Sequence, residues 1–279
     1  MPNKPLQYLK NLSDICDEDI DLAEASLMLA MVDQPDISLE RYQNHLKKLV
    51  KSLIQTHSDM VKDVQGDGLD LRLEAIRSVF SGEGYQGDEE TYEDLQNASL
   101  IRTIERRKGL PITLAILCVH MMRGASWDGY GLNVPGHFVC RLDMDGGRII
   151  FDPFDDCKKL EAHDLRALIK RVHGEGAELS SDFYAPALNR ETLIRLQNNI
   201  KYRQIEAEDY EGALQVVETM RLIDHEEYRL LLDAGVLYAR VGQSRAAIDV
   251  LEEYIKLAPN DRDRYEATML LRDLRTSLN

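Results

Sequence analysis

Apolar side chains recur along the first third of the chain at helical spacing. Leu39, Tyr42, Leu46, Leu49, Val50, Leu53 and Ile54 follow the i, i+3, i+4, i+7 pattern of one buried helix face. Leu69, Leu73, Ile76 and Phe80 repeat it until Ser81-Gly-Glu-Gly-Tyr-Gln-Gly87 breaks the helix. The acidic stretch from Asp14 to Asp21 predicts a helix running on through Leu22 to Met31, because carboxylates near a helix start complement its dipole.

The pattern changes in the middle third. Pro111-Ile-Thr-Leu-Ala-Ile-Leu-Cys-Val-His-Met-Met122 is apolar on almost every side, which predicts a buried helix with Pro111 in its first position. His137-Phe-Val-Cys-Arg-Leu142 and Arg148-Ile-Ile-Phe-Asp152 then read as two strands joined across Asp145-Gly146, a strong type I′ hairpin signal. With those two residues as the turn, Met144 faces Gly147 and Val139 faces Asp152. His137 and Asp152 then share a face, offset by one pair. A three-residue turn, Asp145-Gly-Gly147, places them on opposite faces.

The last third has a longer period. Ala213 and Ala247 stand 34 residues apart, the spacing of a tetratricopeptide (TPR) repeat. Ala234 and Gly235 occupy close-packing positions, followed by Tyr238, Gly242 at the turn, Leu251 on the second helix and Pro259 at its exit. Ile200, Gln204, Tyr210, Val217 and Met220 lie on the same grid in a more degenerate first repeat, and residues 262–276 fit a further first helix that caps the stack.

Composition narrows the function classes. A net charge of −15 over 279 residues disfavours nucleic-acid binding, which needs a basic surface. The N-terminus has no apolar leader and no run approaches membrane-spanning length, so the expectation is a cytoplasmic protein that does not enter membranes. The four cysteines, Cys16, Cys118, Cys140 and Cys157, are too few and too scattered for a disulfide framework. They have no zinc-ligand spacing either, so neither metal nor cofactor is expected.

His137 and Asp152 look like two thirds of a Cys-His-Asp triad, in which a carboxylate orients the imidazole that activates a thiol. No cysteine has the expected place. Cys118 lies about 10 Å along the buried helix from Pro111 at 1.5 Å per residue. Cys140 alternates away from His137, and Cys157 and Cys16 have acidic neighbours that oppose a thiolate.

Three motifs in order carry a resemblance. Asn97-Ala-Ser-Leu-Ile-Arg-Thr-Ile-Glu-Arg-Arg-Lys-Gly-Leu-Pro-Ile-Thr-Leu-Ala115, Val134-Pro-Gly-His-Phe138 and Phe151-Asp-Pro-Phe154 resemble a bacterial family in which a transglutaminase-like domain precedes TPR repeats, the invasion-regulator B proteins. The resemblance implies an α+β class: a mostly helical, papain/transglutaminase-like core with a small antiparallel sheet, followed by TPR helical hairpins. It brings no established activity. Active relatives open the buried helix with Gly-x-Cys, and that alignment puts Pro111 at the cysteine position.

A register shifted by two brings Thr113 to that position instead, but its hydroxyl is expected to satisfy backbone donors in the first helical turn; with Pro111 it lines the expected pocket, where Asn133 is a donor by position. The expected layout is an N-terminal helical extension (1–35), a transglutaminase-like domain (36–175), a linker (176–191) and TPR-like repeats (192–279). The expected function is a nucleophile-less module whose TPR region engages a protein or peptide, His137 and Asp152 being a retained pair. The alternative is a cysteine-type hydrolase or acyltransferase using that pair with a nucleophile the pattern does not identify. Oligomeric state is not readable from the pattern.

Overall fold

The computed structural model describes residues 4–32, 34 and 37–277. Two compact units emerge, one of Asp17–Leu193 and one of Met1–Cys16 with Ile194–Asn279. Helix α1 (Lys4–Asn11) belongs to the second unit. The expected extension 1–35 is therefore divided between the two.

The larger unit opens with α2 (Leu22–Val32). Of the acidic run before it, Asp21 acts as the cap: its Oδ1 accepts the amides of Ala23 and Glu24 at 3.1 and 3.0 Å. The acids precede the helix rather than forming its first turn. Helix α3 (Leu39–Val64) buries Tyr42, Leu46, Leu49 and Leu53, whereas Ile54 is 49% exposed and lies off the buried stripe. Helix α4 (Leu69–Gly82) buries Leu73, Ile76 and Phe80 and ends where the glycine-rich stretch begins.

Beyond it, β1 (Gln86–Gly87), α5 (Leu100–Arg106) and β2 (Lys108–Gly109) lead to α6 (Pro111–Gly124), with β1 and β2 paired in parallel. Pro111 starts α6, and its residues through Val119 are all buried. This central helix packs against α3 and against a four-stranded antiparallel meander, β3 (Asp128–Val134), β4 (His137–Met144), β5 (Gly147–Asp152) and β6 (Lys158–Leu160).

Two turns set the registers of that sheet. Pro135-Gly136 joins β3 to β4, with Gly136 at φ +72°, a backbone conformation that favours glycine. Asp145-Gly146 joins β4 to β5 with both residues at positive φ, as a type I′ turn requires, and Met144 pairs with Gly147. One sheet face meets α6. On the other, Leu132, Val134, Val139, Ile150 and Leu160 pack with Leu165 and Ile169 of α7 (Ala162–His173).

The stretch expected as a linker folds onto this unit instead. The amide of Ala187 donates to the Gly131 carbonyl at 2.8 Å, and Leu179, Phe183 and Tyr184 join the cluster under α7. Edge β3 thereby gains a backbone partner for part of its length.

The second unit takes up the chain within α8 (Asn189–Glu206) and continues through α9 (Tyr210–Ile223), α10 (Arg229–Arg240), α11 (Ser244–Leu257) and α12 (Asp261–Ser277). Ala213, Ala234 and Ala247 are fully buried. Gly235 allows a close crossing, since a Cβ there would stand 2.6 Å from Leu251. Helix α1 packs on α9. Among the described residues no helix is long and apolar enough to cross a membrane.

Candidate functional site

His137 opens β4 and Asp152 closes β5. The two-residue turn brings them together: His137 Nε2 lies 2.6 Å from Asp152 Oδ2. Both are largely buried, with side chains 14% and 9% exposed. Asp152 Oδ1 accepts the Phe154 amide at 2.9 Å, so the same carboxylate holds the turn that follows β5. The Phe154 ring returns edge-on to the imidazole, centroids 6.0 Å apart, and covers Gly87, where a Cβ would fall 2.7 Å from the ring. Tyr92 also packs edge-on with Phe154, centroids 6.0 Å apart.

The start of α6 is held by a buried polar network. Asp88, 1% exposed, accepts from the Thr91 amide and hydroxyl and from Arg106 Nη2 at 3.0, 2.7 and 2.8 Å. Burial alone pushes its carboxyl up. The hydrogen bonds from Thr91, Asn97 and Arg106 outweigh that and hold it well below the ordinary carboxylate range. Arg106 Nη1 also donates to Asn97 Oδ1 at 2.8 Å, and Asn97 in turn receives the Leu110 amide on its own carbonyl.

Thr113 belongs to this scaffold. Its buried hydroxyl donates to the carbonyls of Asn97 and Leu110 at 3.1 and 3.0 Å. It satisfies acceptors, not the amide donors expected of it. Pro111 is buried at the first position of α6. Asn133 Nδ2 donates to Glu191 at 2.6 Å, and the strand register sets it on the face opposite His137. His137 and Asp152 meet, while Thr113 and Asn133 hydrogen-bond to other partners.

Three cysteines distant in sequence converge. Cys118, Cys140 and Cys157 are fully buried, and the Cys118 thiol has those of Cys140 and Cys157 as neighbours. Cys140 Sγ points into the α6 backbone, 3.7 Å from the Ala115 carbonyl, on the sheet face away from His137. Burial raises the Cys118 and Cys140 thiols above their ordinary range, the reverse of nucleophile activation. Cys16 is exposed and belongs to the smaller unit.

A transglutaminase-like superfamily model matches residues 40–198, more than half of the chain. The chain belongs to the transglutaminase-like superfamily. A tetratricopeptide-repeat model follows over residues 200–272. The chain is 27% identical to a UPF0162 protein of Xylella fastidiosa (strain Temecula1) over 259 residues, 91% of this chain and 90% of the relative. A UPF0162 protein of Vibrio cholerae is 27% identical over 256 residues, 89% of this chain and 91% of its own. Protein SirB1 of Salmonella typhimurium is 20% identical over 255 residues, covering 91% and 92%. No solved structure matches the chain.

Within this transglutaminase-like domain, the sequence reading missed Asp88, Arg106 and Phe154 as partners of the site. Asp88 and Arg106 stand 18 residues apart, and no local period links them. Gly87 and Gly109 were the available signal: a Cβ at Gly109 would stand 2.5 Å from Thr113 Oγ1, so both glycines mark close approaches around the start of α6.

Proposed function

We propose that this chain is a non-catalytic transglutaminase-like protein whose TPR helices engage a protein or peptide partner in the cytoplasm. The observation that carries the reading is the separation of thiol from imidazole. The three buried sulfurs gather on the α6 side of the sheet, while His137 and Asp152 lie on the other face. Pro111 occupies the position at which active relatives carry cysteine, and a proline ring has no nucleophile. The retained pair then serves as a buried hydrogen bond that organises the β4–β5 hairpin and the Phe154 turn.

The partner side of the proposal draws support from the repeats. Tyr202 on α8 and Val236 on α10 are 58% and 38% exposed and stand one 34-residue repeat apart. They offer equivalent apolar positions on successive hairpins, as a peptide-binding face requires. Four free cysteines are in keeping with a reducing compartment.

The intact His137–Asp152 pair favours a second reading, a cysteine-type hydrolase or acyltransferase. Iodoacetamide labelling of each cysteine against pH, in wild type and His137→Ala, separates the two. The non-catalytic reading expects no thiol to label rapidly below neutral pH and no dependence on His137. A thiol that labels fast there and slows in His137→Ala overturns it and names the nucleophile.

A further inference from the structure

A cavity of ≈ 360 Å³ opens between the N-terminal part of α3 and the C-terminal end of α5, and it shares no residue with the His137–Asp152 pair. Arg41, Asn44, His45 and Lys48 line it from α3, and Glu105 and Arg107 line it from the far side. Its chemistry is unusual for so acidic a chain. Arg41, Lys48, Arg102 and Arg107 gather around two carboxylates, Glu83 and Glu105, in a protein of net charge −15.

Those two carboxylates are already engaged. Glu105 accepts from Tyr42 Oη at 2.6 Å and from Arg102 at 2.8 Å, and Glu83 faces Lys48 at 2.7 Å and Arg107 at 3.5 Å. Arg41 lies over the Tyr42 ring, 5.7 Å from its centroid, and has no ion pair among the described residues.

The orientation of His45 adds a fixed donor. Arg107 Nη1 donates to Tyr85 Oη at 2.7 Å, and both groups approach His45 Nε2, at 3.0 and 2.8 Å. The two Nη1 protons go to the Tyr85 hydroxyl and to the Ile104 carbonyl at 2.6 Å; an N–H on Nε2 would face that cation, so Nε2 accepts the Tyr85 hydroxyl proton and the proton of the neutral imidazole sits on Nδ1. Burial, with the Arg107 charge second, keeps the ring neutral by lowering it to about 4. Among the described residues Nδ1 makes no hydrogen bond of its own.

We propose that this cavity binds a small molecule carrying an oxyanion, a phosphate or a carboxylate, received by Arg41, Asn44 and the Nδ1–H of His45. The guanidinium fork, the Asn44 amide nitrogen and the imidazole N–H can all donate, and the one carboxylate in the lining, Glu105, is already occupied by Tyr42 and Arg102, so the groups left over favour an acceptor-only ligand. The cavity has the size of a metabolite site.

The test follows the His45 imidazole by NMR in the full chain, at neutral pH and constant ionic strength. Inorganic phosphate and acetate are titrated separately, with sodium chloride as the reference. The expected result is a saturable shift with at least one of the two oxyanions, weakened about tenfold in Arg41→Ala and partly restored in Arg41→Lys. Saturation by phosphate alone assigns a phosphate compound, and by acetate alone a carboxylate. A response no larger than that to chloride, or one unchanged in a folded Arg41→Ala, overturns the proposal.

Discussion

His137 Nε2 and Asp152 Oδ2 lie 2.6 Å apart across fifteen residues of chain, and the length of one turn decides that they meet. Asp145-Gly146 closes the hairpin in two residues, so the side chains of His137 and Asp152 fall on the same sheet face. One residue more in the turn would move the entire strand β5 to the opposite facing. The carboxylate also holds the Phe154 amide, which ties the hairpin to the loop behind it.

That dual role ranks three substitutions. His137→Ala and Asp152→Asn each remove or weaken one buried hydrogen bond and are expected to cost about 1–2 kcal/mol in urea denaturation. Asp152→Ala also strips the Phe154 amide of its acceptor and should cost about 1 kcal/mol more. Equal, negligible changes in all three would show that the pair does not support the fold.

Asp88 is expected to matter more than either. Its carboxylate is almost fully buried against Arg106 and Thr91. Asp88→Asn leaves Arg106 without its counter-charge and should lower stability by about 2–3 kcal/mol. The sign of its pH dependence is fixed: a folded-state value below the unfolded 3.8 stabilises the protein above that pH, and the contribution disappears as pH falls below it. Acid titration of the Asp88→Asn variant should therefore show a shallower loss of stability below pH 3.8 than wild type.

His45 acts in a higher window. Its value falls from 6.5 to about 4 through burial first and Arg107 second, so the folded state resists protonation that the unfolded chain accepts. Stability is complete above 6.5 and declines as pH drops towards 4. The ring is partly exposed and solvent-screened, which reduces the loss to about 1 kcal/mol. His45→Gln should flatten the denaturation midpoint across this interval; an unchanged slope would assign the dependence elsewhere.

Gly235 tests the packing of the repeats. A methyl group there meets the Leu251 side chain at 2.6 Å, within a fully buried contact between α10 and α11. Gly235→Ala should destabilise by about 1–3 kcal/mol, and Leu251→Ala in the same chain should relieve part of that cost, a coupling measurable in a double-mutant cycle.

The local patterns of this chain determined its local structure. Pro111 at the head of an all-round apolar run gave a buried helix, Asp145-Gly146 a type I′ hairpin, and the spacing of Ala213 and Ala247 a pair of helical hairpins. Each depends on interactions spanning a few residues or one repeat, and such interactions leave a period in the sequence. Only the tertiary structure decided that Cys118, Cys140 and Cys157 meet on the far side of the sheet from His137, and that Asp88 pairs with Arg106. The same holds for residues 176–191, read as a linker but folded along β3. Those contacts depend on how a helix and a sheet lie across each other, a geometry set by the packing of the whole core and encoded in no single stretch of the chain.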